Sequence, residues 1–122
     1  MEYRIASGGL CAGITDAGAE IRSLRDEGGF EYIWQRDPAI WGECAPLLFP
    51  VCGRVKNERY TLGGKEYPMR GHGFLKAMTF RLSEKEDDRV VLSAVSDDRT
   101  RAAYPFDFEI TAEYKISNEG LL

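Results

Sequence analysis

The chain has 122 residues, of which 43% are hydrophobic and 30% charged, with a formal net charge of −4. That length suits a single domain with enough chain to bury a core. The acidic balance, with a pI near 5.1, excludes the basic footprint of a nucleic-acid binder. No run approaches the roughly 18 apolar residues of a membrane span. The first residues, with Glu2 and Arg4, lack the apolar stretch of a secretory signal. Cys11, Cys44 and Cys52 are an odd number at no metal-ligand spacing. They read as buried thiols of a soluble protein in the reducing cytoplasm, with no metal and no membrane partner.

In chain order, Tyr3 and Ile5 alternate with charged or small residues, and Ile21 and Leu24 do so around Arg22 and Arg25. Both segments read as strands. Gly28-Gly29 followed by Tyr32, Ile33 and Trp34 predicts a hairpin. From residue 35 to 58, Pro38, Pro46, Pro50, Gly42 and Gly53 interrupt helix and strand alike. This stretch reads as one long loop, and loops beyond about 12–15 residues in compact domains are commonly functional. Ile40, Trp41, Leu47, Leu48, Phe49 and Val51 argue against disorder there.

A second hairpin is predicted from Arg59–Leu62 and Lys65–Pro68 around Gly63-Gly64. Met78, Phe80 and Leu82 form the next alternating run, and the charged turn Glu84 to Arg89 leads into Val90–Val95. Phe106, Phe108, Ile110 and Ala112 alternate with Asp107, Glu109, Thr111 and Glu113, as in a strand with one wet face. No window has helical period, so the predicted fold class is all-β. After the strand ending at Ile116 and a turn over Ser117–Gly120, Leu121 and Leu122 read as the start of a partner strand. A hairpin with one arm exposes unpaired backbone groups, so the chain reads as cut short at Leu122; the alternative is a frayed tail after a terminal strand.

The single histidine, His72, lies between Gly71 and Gly73. Glycines on both sides let the backbone turn sharply and a ligand approach closely; the alternative is a structural histidine. Arg54 follows the proline-marked run Phe49-Pro-Val-Cys-Gly53. Its planar guanidinium suits neighbouring hydroxyls or a carboxylate; the alternative is a surface arginine paired with an acid. Asp87-Asp88 and Asp97-Asp98 read as turn residues capping their own backbone. There is no nucleophile elbow, phosphate loop or paired metal motif.

Taken together, Gly18-Ala-Glu-Ile21, Glu31-Tyr-Ile-Trp-Gln35, Asp37-Pro-Ala-Ile-Trp-Gly42, Ala45-Pro-Leu-Leu-Phe-Pro-Val-Cys-Gly-Arg54, Tyr67 to Phe74 and Tyr104-Pro-Phe-Asp-Phe-Glu-Ile110 resemble the aldose 1-epimerase (galactose mutarotase-like) family, in its LacX-type branch. The apolar-Phe-Pro-x-x-Gly-Arg and His-Gly-Phe pair carries the most specific part of the likeness. Where this branch often has Ala-Arg-Asp after His-Gly-Phe, this chain has Leu75-Lys76-Ala77.

The resemblance implies an antiparallel β-sandwich (supersandwich) with a sugar pocket on one face, of which residues 1–122 are the amino-terminal portion. It implies that Arg54 and His72 bind the hydroxyls of a hexose. The family's catalytic acid, a later histidine, and its base, a glutamate near the carboxyl end, have no counterpart here and are expected beyond Leu122. Anomer interconversion needs both proton transfers and no cofactor, so this chain alone is expected to be inactive. A non-catalytic carbohydrate-binding module, or a hexose-6-phosphate epimerase using Arg70 and Lys76, are the alternatives. A sandwich cut at Leu122 would uncover Phe106, Phe108, Ile110, Tyr114 and Ile116, and self-association through strand edges is expected.

Overall fold

Alternation at the amino end closes into an antiparallel meander in the computed structural model, which describes residues 1–122: β1 (Glu2–Ser7), β2 (Leu10–Thr15) and β3 (Ile21–Asp26), with β2 central. The second predicted hairpin forms as read, from β4 (Arg59–Leu62) and β5 (Lys65–Pro68). Leu62 faces Lys65, and Gly63 and Gly64 between them have φ of 57° and 79°, the left-handed pair that a two-residue hairpin turn demands. A second sheet runs β6 (Arg81–Lys85), β7 (Arg89–Val95), β8 (Glu109–Ser117) and β9 (Gly120–Leu121), in that spatial order and antiparallel throughout.

The two larger sheets meet face to face, β1 against β7 and β8. Ile5, Ile14, Val90, Leu92 and Ile116 are fully buried between them, each contributing roughly 1.5–3 kcal/mol. Backbone bonds stitch the layers at their rims: Ala6 N–H donates to Asp87 O at 2.7 Å and Phe80 N–H to Asp16 O at 2.8 Å. Tyr114 crosses the core to donate its hydroxyl to Ala19 O at 2.8 Å.

Four expectations are corrected. Tyr32, Ile33 and Trp34 make no strand; only a single bridge joins Glu31 to Arg25. There the Glu31 carboxylate substitutes for a ladder, accepting from Leu24 N–H at 2.8 Å and Ile33 N–H at 3.0 Å. A short helix, α1 (Asp98–Ala103), occupies a stretch read as turn, started by a reciprocal cap in which Asp97 accepts from Thr100 N–H and Thr100 Oγ1 from Asp97 N–H. Phe106 and Phe108 precede β8 rather than belonging to it; the Phe108 ring instead packs against Phe49, Phe74 and Tyr104. Ile116 is fully buried, and Ile110 and Tyr114 are partly buried against the core, so these three keep their cover.

The cysteines divide. Cys44 is buried, while Cys11 and Cys52 are exposed, which corrects the reading of all three as core thiols. Burial pushes the Cys44 thiol above its ordinary pKa, and the Glu20 carboxylate adds to the effect. Its S–H donates to Trp34 O at 3.1 Å. A thiol-specific colorimetric reagent should therefore titrate two cysteines rapidly and the third only after denaturant is added. Three fast equivalents would contradict this burial.

Candidate functional site

The long proline-marked loop is anchored at both ends of its apolar run. At its start the buried Glu20 carboxylate accepts from Ala45 N–H at 2.9 Å and Cys44 N–H at 3.3 Å. Its second oxygen accepts from Arg22 Nε at 3.0 Å. Further on, Phe49 acts twice. Its carbonyl accepts from Phe74 N–H at 2.9 Å and Leu75 N–H at 3.3 Å. Its ring packs against Tyr104 and Phe108 at centroid distances of 5.4 and 5.2 Å, near the favoured range for aromatic pairs. The Phe49–Pro50 peptide is cis.

This contact brings the loop alongside the His-Gly-Phe segment, Phe49 pairing in parallel with Gly73. Gly73 is required here: at φ 71°, a β-carbon would stand 1.9 Å from Phe49 O and 2.7 Å from Pro50 N. No side chain fits that gap.

The segments that carry Arg54 and His72 meet as a consequence. His72 N–H donates to Gly53 O at 2.9 Å. The His72 ring lies with Nδ1 2.6 Å from Cys52 O. A carbonyl can only accept, so Nδ1 carries the proton, and it is Nε2 that faces away from this bond. Its backbone is left-handed, at φ 67°, a conformation that costs a non-glycine residue about 1–2 kcal/mol and persists only where the surroundings impose it. The Arg54 side chain lies across Gly71, where a β-carbon would come within 2.9 Å of its Cγ and 3.1 Å of its Nε. The two glycines therefore have separate tasks: Gly71 seats the arginine and Gly73 seats the loop. Both Arg54 and His72 are exposed, and Arg54 makes no ion pair.

The other basic residues near this segment divide. Lys76 turns to Glu43 and forms an ion pair there, while Arg70 has no carboxylate partner. Asp87 and Asp88 use their backbone carbonyls to hold Ala6 and Ile116. No group of three or more His, Cys, Asp or Glu side chains converges anywhere in the chain to hold a metal ion. A concavity of about 670 Å³ lies between α1 and the β6–β8 sheet, with Phe74, Arg81, Ser93, Arg99 and Glu109 on its walls. It contains neither Arg54 nor His72; Phe74, two residues beyond His72, is the wall nearest to them in sequence. Sequence reasoning overlooked the Cys52 carbonyl and the double use of Phe49. Backbone acceptors leave no mark in a residue pattern, and an apolar side chain does not announce what its carbonyl holds.

The aldose 1-epimerase family model matches residues 1–122. The plasmid-encoded protein LacX of Lactococcus lactis subsp. lactis is 31% identical over 109 residues, covering 85% of this chain and 36% of LacX. A galactose mutarotase related enzyme from Lactobacillus acidophilus superposes with a TM-score of 0.97 at 37% identity, over 99% of this chain and 41% of that one. A galactose mutarotase-like protein from Lactobacillus casei gives 0.96 at 34% identity, over 99% and 42%. The chain thus spans little more than a third of the curated relative's length. With the family model matching from the first residue to the last and the same folded backbone in these relatives, the chain belongs to the aldose 1-epimerase family.

Proposed function

We propose that Arg54 and His72 form the sugar-orienting half of an aldose 1-epimerase site, and that the ligand is a hexose. The observation supporting this is that the two segments are joined, His72 N–H bonding to Gly53 O and the Arg54 side chain lying against Gly71, with both side chains exposed and neither paired with a carboxylate. His72, with Nδ1 held by Cys52 O, offers Nε2 to a sugar hydroxyl. Arg54 offers N–H donors to hydroxyls or the ring oxygen that accept. Together they fix which face of the pyranose is presented, which is orientation rather than proton transfer.

Interconverting anomers needs more. A base must take the C1 hydroxyl proton and an acid must protonate the ring oxygen, so that the C1–O5 bond breaks, C1 rotates and the ring closes again. Each positioned proton-transfer group contributes about 10²–10⁴-fold. Within these 122 residues neither Arg54 nor the Nδ1-protonated His72 is placed as such a pair. The reading therefore separates binding from turnover.

Isothermal titration with glucose and galactose tests the binding. Arg54→Ala and His72→Asn are each expected to weaken it about tenfold or more, the worth of a hydrogen bond to a charged or well-placed group. Asparagine tolerates the left-handed backbone, so His72→Asn removes the imidazole while keeping the loop. Polarimetry on freshly dissolved α-glucose should show no protein-dependent rate. Titration that is indifferent to both substitutions would refute the site, and a protein-dependent rate lost in His72→Asn would refute the division of roles.

A further inference from the structure

On the face of the β1–β3 sheet turned away from Ile5, Ala12 and Ile14, arginines gather from separate stretches of chain. Arg4 comes from β1, Arg22 and Arg25 from β3, and Arg36 from the loop that follows, and all four border one cavity of about 270 Å³. Arg22 and Arg36 also border a neighbouring cavity of about 170 Å³, with Glu20, Glu43 and Lys76. Neither cavity includes Arg54 or His72.

The charges there do not cancel. Arg4 pairs with Glu2 at 3.2 Å, Arg22 with Glu20 at 3.0 Å, Arg25 with Glu31 at 3.0 Å, and Lys76 with Glu43. Arg36 is left over, with no carboxylate partner. Its Nε is buried and donates to nothing, an arrangement that native structures seldom leave without an acceptor. Its backbone is also left-handed, at φ 60°. In the three paired arginines only Nε is engaged, so each keeps its Nη donors available. A guanidinium carries five N–H donors.

We propose that Arg36, with the Nη groups of Arg22 and Arg25, binds a phosphate-class oxyanion in this double cavity. The guanidinium fork matches two oxygens of such a group. Donors arriving from β3 and from the following loop suit a tetrahedral ion, whose oxygens point in several directions, better than a planar carboxylate. The source is inorganic phosphate or the phosphate of a small ester, and the two share this chemistry. The site does not rest on Arg54 or His72.

Calorimetric and thermal-shift titrations of the 122-residue chain test it, with inorganic phosphate and glycerol 3-phosphate against sodium chloride of equal ionic strength and against acetate. Saturable binding of phosphate is expected, weakened tenfold or more in Arg36→Gln and several-fold in Arg36→Lys, which keeps the charge and loses the fork. Arg54→Ala should bind phosphate like the wild type even if the chain binds no hexose. Binding of either phosphate supports the site, and the ratio of the two affinities identifies the source. In the wild type, ¹⁵N-edited NMR should show the Arg36 Nε–H resonance moving with the same saturation, a readout independent of how well the variants fold. The proposal is overturned by any of three results: no saturation beyond that with chloride, an unmoved Arg36 resonance with equal binding in Arg36→Gln (an adventitious ion only), or acetate binding as tightly as phosphate.

Discussion

Gly73→Ala is expected to destabilise the chain by about 4 kcal/mol or more, in the exceptional range for one substitution. Two costs combine. The left-handed backbone at φ 71° penalises any β-carbon by about 1–2 kcal/mol. The clash is larger, because the obstacle 1.9 Å away is the carbonyl oxygen of Phe49. That oxygen cannot retreat without giving up the amides of Phe74 and Leu75 and pulling the Phe49 ring from its aromatic neighbours. Urea unfolding followed by tyrosine and tryptophan fluorescence measures the loss. Gly53→Ala is the control: its β-carbon meets nothing within 4 Å and its φ is not left-handed, so its midpoint should shift little. Equal midpoints for Gly73→Ala and wild type would show that the two segments are not joined as described.

Acidification should remove about 3 kcal/mol of stability through Glu31 alone. Burial resists ionisation of this carboxyl, but donors outweigh it: Ser23 Oγ at 2.5 Å, the Leu24 and Ile33 amides, and Arg25. Its pKa falls from 4.5 to about 2. A depressed folded-state value means that the unfolded chain binds the proton more readily. The contribution is therefore complete above about pH 4.5 and disappears as pH falls towards 2, at about 1.4 kcal/mol per pKa unit. The Glu31 side chain is only 15% exposed, so solvent screens little of this. In Glu31→Gln the wild-type advantage at pH 7 should shrink progressively below pH 4.5 in urea titrations. A difference independent of pH between 7 and 3 would exclude Glu31 as the titrating group.

The residue pattern carried some features of the fold and lost others for identifiable reasons. The β4–β5 hairpin was legible because Gly63-Gly64 sits between two short runs and serves one purpose. β2 had no such signature: Ala12, Gly13, Ile14 and Thr15 are all buried in succession, since Gly13 has no side chain of its own and lies beneath that of Glu2. Helix α1 is six residues long, too short for a period, although Asp97 and Thr100 stand at the spacing of a reciprocal cap. The stretch after Gly28-Gly29 misled because Glu31 supplies with its side chain the acceptors that a strand would supply with its backbone. At the site, Arg54 and His72 stood out through their glycines. The meeting of their segments rests on carbonyls of Phe49, Cys52 and Gly53, which every sequence possesses and none displays.

The double use of Phe49 bears on how the His72 loop moves. Its carbonyl fastens the chain at Phe74 and Leu75, while its ring belongs to the aromatic cluster beside the core. Local opening of that loop must therefore disturb the cluster, which raises its free energy towards that of global unfolding. A loop of this kind does not sample many shapes before an encounter. The conformational entropy that a flexible recognition loop surrenders on association has here already been given up during folding, so rigidity of this surface is inherited from the interior.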